Sequence, residues 1–261
     1  MTRFFVSDLH LGDRGPRDNF AANEQAFGRF LDFVQANAGS ELVVLGDLFD
    51  WWQCNLSASV LAYQSLIYRL LGMRALWVAG NHDNLFAAGL TVGETRQICI
   101  CRVPLPDMRG AFIDYSNLLL MHGHECDPSC AGLNPGIGAM TAIMSGLLED
   151  RSQGTVRTNG EIEDRFINFL EMPLNAWNRL LGHASMFEEV VEGVEDFRLK
   201  QRASAVIYGH THEAGQIGKH HFNCGCWCRT RNTFVKHDTA GISIHEWTGD
   251  EAVPFERHLL G

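Results

Sequence analysis

Three short apolar runs, Phe4-Phe5-Val6, Leu42-Val43-Val44-Leu45 and Leu76-Trp77-Val78-Ala79, alternate with stretches whose apolar residues recur at helical spacing. Phe27, Phe30, Leu31 and Val34 mark one such stretch over residues 20–37. Val60, Leu61, Leu66, Ile67, Leu70 and Leu71 mark the other over 58–71. Strand, helix, strand, helix, strand in that order requires right-handed crossovers and a parallel sheet. Runs at 98–101, 111–115 and 118–121 read as further strands, and strands are expected again at 205–208, 220–226, 233–237, 240–246 and 253–258.

Residues 134–201 have another character. Asn134-Pro135 has the form of a helix start, an amide cap followed by proline at the first helical position. Three apolar stripes follow: Ile137, Met140, Met144 and Leu147; Ile162, Phe166, Phe169 and Leu170; Met186, Val190, Val194 and Phe197. This predicts a helical insertion, or lid, of several short helices. The chain of 261 residues is long enough for one large α/β domain or two small ones. It is read here as a single domain over 1–261 with that insertion.

Composition narrows the partners. The formal net charge is −10. Eleven acidic against six basic residues between Glu149 and Lys200 put half of that excess in the insertion. Neutralising a phosphate backbone takes Lys and Arg, so no nucleic-acid partner is expected. No segment approaches the roughly 20 apolar residues of a membrane span, so contact with a membrane is at most peripheral. With no signal-peptide pattern at the start, a cytoplasmic protein is expected. The eight cysteines contain no C-x-x-C pair. Cys224, Cys226 and Cys228 form a C-x-C-x-C run, read as reduced thiols on a strand, with a further metal site or a disulfide as the other readings.

Five apolar strands each end in polar residues with metal-binding atoms. The stretches are Ser7-Asp8-Leu9-His10, Gly46-Asp47-Leu48-Phe49-Asp50, Gly80-Asn81-His82-Asp83, His122-Gly123-His124 and Gly209-His210-Thr211-His212. Sites in open α/β sheets gather beyond the carboxyl ends of the strands, so five loops can share one mouth. In extended backbone, residues i and i+2 point the same way, which would let Asp8 and His10, or His210 and His212, grip one ion. Asp8, His10, Asp47, Asn81, His122, His210 and His212 are too many for one ion and sufficient for two if a carboxylate bridges. Carboxylate with imidazole suits manganese, iron or zinc rather than calcium or magnesium. Manganese is taken as the first choice.

D-x-H, G-D-x-x-D, G-N-H-D, G-H and G-H-T-H in this order, over residues 8–212, resemble the calcineurin-like metallophosphoesterase family. The resemblance implies a four-layer α/β/β/α sandwich, within the α/β class. It implies one metal held by Asp8, His10, Asp47 and His212, and a second held by Asp47, Asn81, His122 and His210. A metal-bridging hydroxide would then attack phosphorus. His82 would act on the phosphoryl or leaving oxygen, and Asp83 would hold its other ring nitrogen. Asp50 would steady a ligand, and His124 would either do the same or face substrate. Trp51 and Trp52 are read as packing beneath the site or as lining of the substrate pocket. Arg14, Arg17, Arg229 and Arg231 are candidates for a second substrate phosphate.

The implied activity is hydrolysis of phosphoric esters, with phosphodiester or pyrophosphate favoured over monoester. The implied substrate is small and phosphorylated, with nucleotide and lipid-linked forms both open. The insertion lies between His122 and His210, a placement that resembles the UDP-diacylglucosamine pyrophosphate hydrolases of lipid A synthesis. Those typically carry Arg where this chain has His82. A non-catalytic scaffold on the same fold is the reading from another class. It would be expected to have lost ligands, and all seven are present here.

Overall fold

The computed structural model describes residues 1–51, 53–54, 56–83, 99–100, 112–114, 116–127 and 186–257. Strands β1 (Arg3–Val6), β2 (Glu41–Leu45) and β3 (Leu76–Val78) form where the first apolar runs lie. Helix α1 (Glu24–Ala36) joins β1 to β2, after a single 3-10 turn at Ala21–Asn23. Helices α2 (Leu56–Ala62) and α3 (Gln64–Gly72) join β2 to β3. The sequence predicts one helix there, and the break falls at Tyr63. Its ring is buried, its hydroxyl donates to Asp18 at 2.6 Å, and its backbone leaves helical dihedrals (φ −115°, ψ 25°).

The remaining described elements are β4 (Cys99–Ile100), β5 (Phe112–Ile113), β6 (Leu118–Leu120), α4 (Met186–Gln201), β7 (Ala205–Tyr208), β8 (Gly215–Ile217), β9 (His221–Asn223), β10 (Asn232–Asp238), β11 (Gly241–Trp247) and β12 (Ala252–Pro254). The strand expected at 220–226 is shorter, so the three cysteines follow it rather than lie on it. Helix α4 carries the third stripe, with Val190, Val194 and Phe197 buried. The helices expected over 134–185 and Trp52 lie outside the described residues.

Two sheets result. One runs β12-β11-β10-β1-β2-β3-β4 and the other β5-β6-β7-β9-β8. The pairs β1–β2, β2–β3, β6–β7 and β7–β9 are parallel. Side chains alternate between faces along each strand, and this alternation builds the layers. Phe4, Val6, Leu42 and Val44 face α1 and α3, where they meet Phe27, Phe30, Leu31 and Leu66. Phe5, Val43 and Leu45 face the second sheet, where they meet Leu118, Leu120, Ala205 and Ile207. Leu119, Val206 and Tyr208 face α4. The order is helices, sheet, sheet, helix: the four layers anticipated from the sequence. Both faces of each central strand are buried, which explains why these strands read as unbroken apolar runs.

Arg3 ties the two sheets. Its buried guanidinium pairs with Asp114, just beyond β5, lies 3.3 Å from Glu41 Oε2 and sits 5.0 Å over the Phe5 ring. The outer apolar layer centres on Phe30, in aromatic contact with Phe4, Phe27, Phe33, Trp227, Phe234 and Trp247. Phe30→Ala is expected to cost about 3–5 kcal/mol, the range for deleting a buried aromatic side chain. Urea unfolding should show this as a lower midpoint with little change in slope.

Candidate metal centre

Asp8 and His10 follow β1, Asp47 and Asp50 follow β2, and Asn81, His82 and Asp83 follow β3. His122 and His124 follow β6, and His210 and His212 follow β7. Parallel pairing puts β1, β2 and β3 end to end in one sense, and β6 with β7 likewise. The five loops therefore meet at one edge of the sandwich, as expected.

The backbone there is not extended, which corrects the i, i+2 argument. Asp8, His10, Asp47, His210 and His212 all have positive φ, at 54°, 52°, 49°, 68° and 58°. Such left-handed residues cost roughly 1–3 kcal/mol each unless they are held. Here they are held: Asp8 N donates to Gly46 O at 3.2 Å, His10 N to Asp47 O at 2.9 Å, and His210 N to Asp8 Oδ2 at 2.9 Å. The turns aim the side chains inward. Gly46 and Gly80 leave room for them, since a Cβ at Gly46 would collide with the His122 ring and one at Gly80 with the Asp47 carboxylate.

The result is a knot of acceptor atoms. Asp47 Oδ2 lies 3.3 Å from His122 Nε2, 3.7 Å from His10 Nε2 and 4.0 Å from His82 Nε2. Asp8 Oδ1 lies 3.1 Å from His212 Nε2 and 3.9 Å from His122 Nε2. Asn81 Oδ1 is 3.0 Å from His122 Nε2. Asp8 is fully buried, and its Oδ1 has no hydrogen-bond donor. Among the described residues, three sets of atoms are spaced to hold a cation: Asp8, Asp47 and His122; His10, Asp47 and His82; and His10, His212 and Cys228. The donor set fits a divalent ion. Buried carboxylates with an orphaned oxygen need a positive charge.

The outward nitrogens of the rings are anchored. His122 Nδ1 donates to Leu45 O at 2.8 Å, which directs Nε2 inward. His210 Nε2 meets Asp127 Oδ2 at 2.7 Å, so Nδ1 is the nitrogen left for a cation. Fixing one ring nitrogen in this way orients a metal-binding histidine and sets its tautomer. Asp127 was not anticipated from the sequence. It follows no strand and belongs to none of the recurring motifs.

His82 Nδ1 meets Asp50 Oδ1 at 2.9 Å. The expectation that Asp83 holds this ring is thus corrected. The turn after Gly80 points Asp83 inward, where it accepts from Gly80 N at 2.6 Å and Leu48 N at 2.7 Å and so clamps two of the site's loops together. Burial and the Asp47 charge push the Asp83 carboxyl up to about 7. Burial lowers His124 to about 4; the ring is buried, 5.3 Å from that of His122. Trp51 stacks on Phe49 at 5.0 Å, in the outer core. Arg14 is tied to Glu24 and Ala62 O, and Arg231 sits over Phe255.

The buried carboxylates also set the proton affinity of the rings. Burial opposes charge on His10, but Asp8, Asp47 and Asp50 raise it to about 10. Burial likewise opposes His122, which Asp47 and Asp8 raise to about 9. Burial, only partly offset by Asp8, lowers His212 to about 4, and the Arg229 charge adds to the push. His10 thus holds the proton across its 3.3 Å contact with His212. Burial would raise Asp8, yet His122 and His212 hold it well below the usual carboxylate range. Both raised values lie above neutrality, so metal must displace these protons. Calorimetry near pH 7 in two buffers of different ionisation enthalpy should show release on the order of two protons per loaded site. Affinity should rise as pH rises toward 9, and a buffer-independent heat would contradict this.

Residues 1–214 match the family described as calcineurin-like phosphoesterase. The chain is 34% identical over 100 residues to a UDP-2,3-diacylglucosamine hydrolase of Haemophilus ducreyi, covering 36% of this chain and 38% of that protein. It is 26% identical over 226 residues to the protein of the same name from Salmonella typhimurium, covering 81% and 82%. Among solved structures, a dimetal phosphatase from Danio rerio matches with a TM-score of 0.52 over 97% of this chain and 98% of that one. At 13% identity that likeness speaks for the fold. No helix among the described residues is long and apolar enough to cross a membrane. With the family matched over most of its length, and the acceptor knot where that fold gathers its loops, the chain belongs to the calcineurin-like phosphoesterases, hydrolases of phosphoester bonds.

Proposed function

We propose that this chain is a dinuclear-metal hydrolase acting on phosphodiester or pyrophosphate bonds in preference to monoesters. The observation that carries the reading is the Asp47 carboxylate, set within 4.0 Å of ring nitrogens from His10, His82 and His122. Asp8, His10, Asp47 and His212 would hold one ion, and Asp47, Asn81, His122 and His210 the other. When bound, manganese, iron or zinc supplies Lewis acidity that activates water and neutralises phosphoryl charge.

The chain's own residues do the rest. Asn81 offers a neutral amide oxygen, which leaves its ion more electrophilic than a third carboxylate would. His82 is fixed at Nδ1 by Asp50, so its Nε2 faces the site and can pass a proton to the leaving oxygen. The half-buried Arg229, whose charge reaches His212, would bind a second phosphate. A diphosphate linkage would use both the acceptor knot and that guanidinium. The relatives named UDP-2,3-diacylglucosamine hydrolase support a nucleotide- or lipid-linked substrate of this kind. A single cytoplasmic unit over 1–261 completes the reading.

The protein stripped and reloaded with manganese should cleave a nitrophenyl phosphodiester faster than the matching monoester. The reverse preference would make it a phosphatase. His82→Ala should keep its metal and lose about 10²–10⁴-fold in rate, the contribution of a positioned proton donor. Loss of metal in that variant would refute the assignment. Asp47→Asn should lose metal and activity together, as read by elemental analysis beside turnover. Arg229→Ala should raise KM for a pyrophosphate substrate and leave the simple diester unaffected.

A further inference from the structure

The C-x-C-x-C run has no part in the reaction described above, yet its last member reaches the site. His10, His212 and Cys228 each present one ligating atom, all within 4.8 Å of one another. Cys228 is buried. It is also held rigidly, because both of its neighbours are pinned. Trp227 N donates to Asp8 O at 3.0 Å, and Trp227 Nε1 donates to Thr233 O at 2.9 Å. The Asn23 amide donates to Trp227 O at 2.9 Å and to Arg229 O at 3.0 Å, bracketing Cys228 from both sides. The Trp227 ring packs at 4.8 Å from Phe27 and 5.0 Å from Phe30, so the aromatic core itself sets the position of the thiol.

A second observation points into the same space. The fully buried Asp8 Oδ1, which has no hydrogen-bond donor, lies 3.1 Å from His212 Nε2 and 3.7 Å from His10 Nε2. His10 and His212 are therefore shared between the thiol and the carboxylate. We infer that Cys228 is a thiolate ligand of the ion held by Asp8, His10 and His212. This rests on the metal reading above and adds to it. Sulfur favours zinc, iron or cobalt over manganese or magnesium at that position. It also adds a negative charge, so the two ions become unlike: one bound through sulfur, the other through oxygen and nitrogen alone.

Cobalt(II) distinguishes the outcomes, because thiolate ligation gives an intense near-ultraviolet charge-transfer band that nitrogen and oxygen ligands do not. The full chain loaded with Co²⁺ should show that band beside the weaker visible bands of bound cobalt. The charge-transfer band should vanish in Cys228→Ser and persist in Cys226→Ser and Cys224→Ser. X-ray absorption of the zinc-loaded wild type should show a sulfur scatterer at about 2.3 Å, a readout that does not depend on any variant folding. Visible bands without charge transfer, or no sulfur scatterer, would overturn the thiolate and leave the metal reading standing. Absence of any cobalt binding would overturn both.

Discussion

Two carboxylates, Asp8 and Asp47, are buried side by side and ringed by imidazole nitrogens and an amide oxygen that can ligate a cation. That electrostatic demand organises the mouth of the fold. A buried anion must be met by positive charge, and the chain meets it in two alternative ways. Without metal, His10 and His122 hold extra protons against the cost of their burial. With metal, the same ring nitrogens become donors to the ion. The charge that raises the proton affinity of these rings also favours a cation among them.

The cost appears in the main chain. Five of the seven expected ligands sit at positive φ, a conformation that ordinary residues avoid. Loop-to-loop hydrogen bonds, two glycines with no space for a Cβ, and the Asp83 clamp on Leu48 and Gly80 hold them there. The stiff, doubly covered sheets beneath supply the rest. Local strain of this kind persists where surrounding structure over-determines it, and such places cluster at functional sites. The Arg3 bridge ties the two sheets, and the aromatic layer around Phe30 backs the first of them.

Much of this was legible in the sequence because the signals were local. Apolar runs and helical stripes gave the alternation of β1, α1, β2 and β3, and polar clusters at strand ends marked the mouth. Relations between loops were not legible. Nothing in Gly80-Asn81-His82-Asp83 shows that the adjacent aspartate turns inward while Asp50, from another loop, takes the His82 ring. Asp127 behind His210 and Cys228 beside His212 are likewise products of tertiary packing, each distant in sequence from the ring it approaches. The strand expected over 220–226 ends at Asn223, so the cysteines follow it.

Anomalous diffraction from crystals of the metal-loaded chain tests the central claim most directly. A dinuclear centre should give two peaks: one among Asp8, His10 and His212, the other among Asn81, His122 and His210, with Asp47 between them. A single peak, or none with the rings still hydrogen-bonded to the carboxylates, would contradict it.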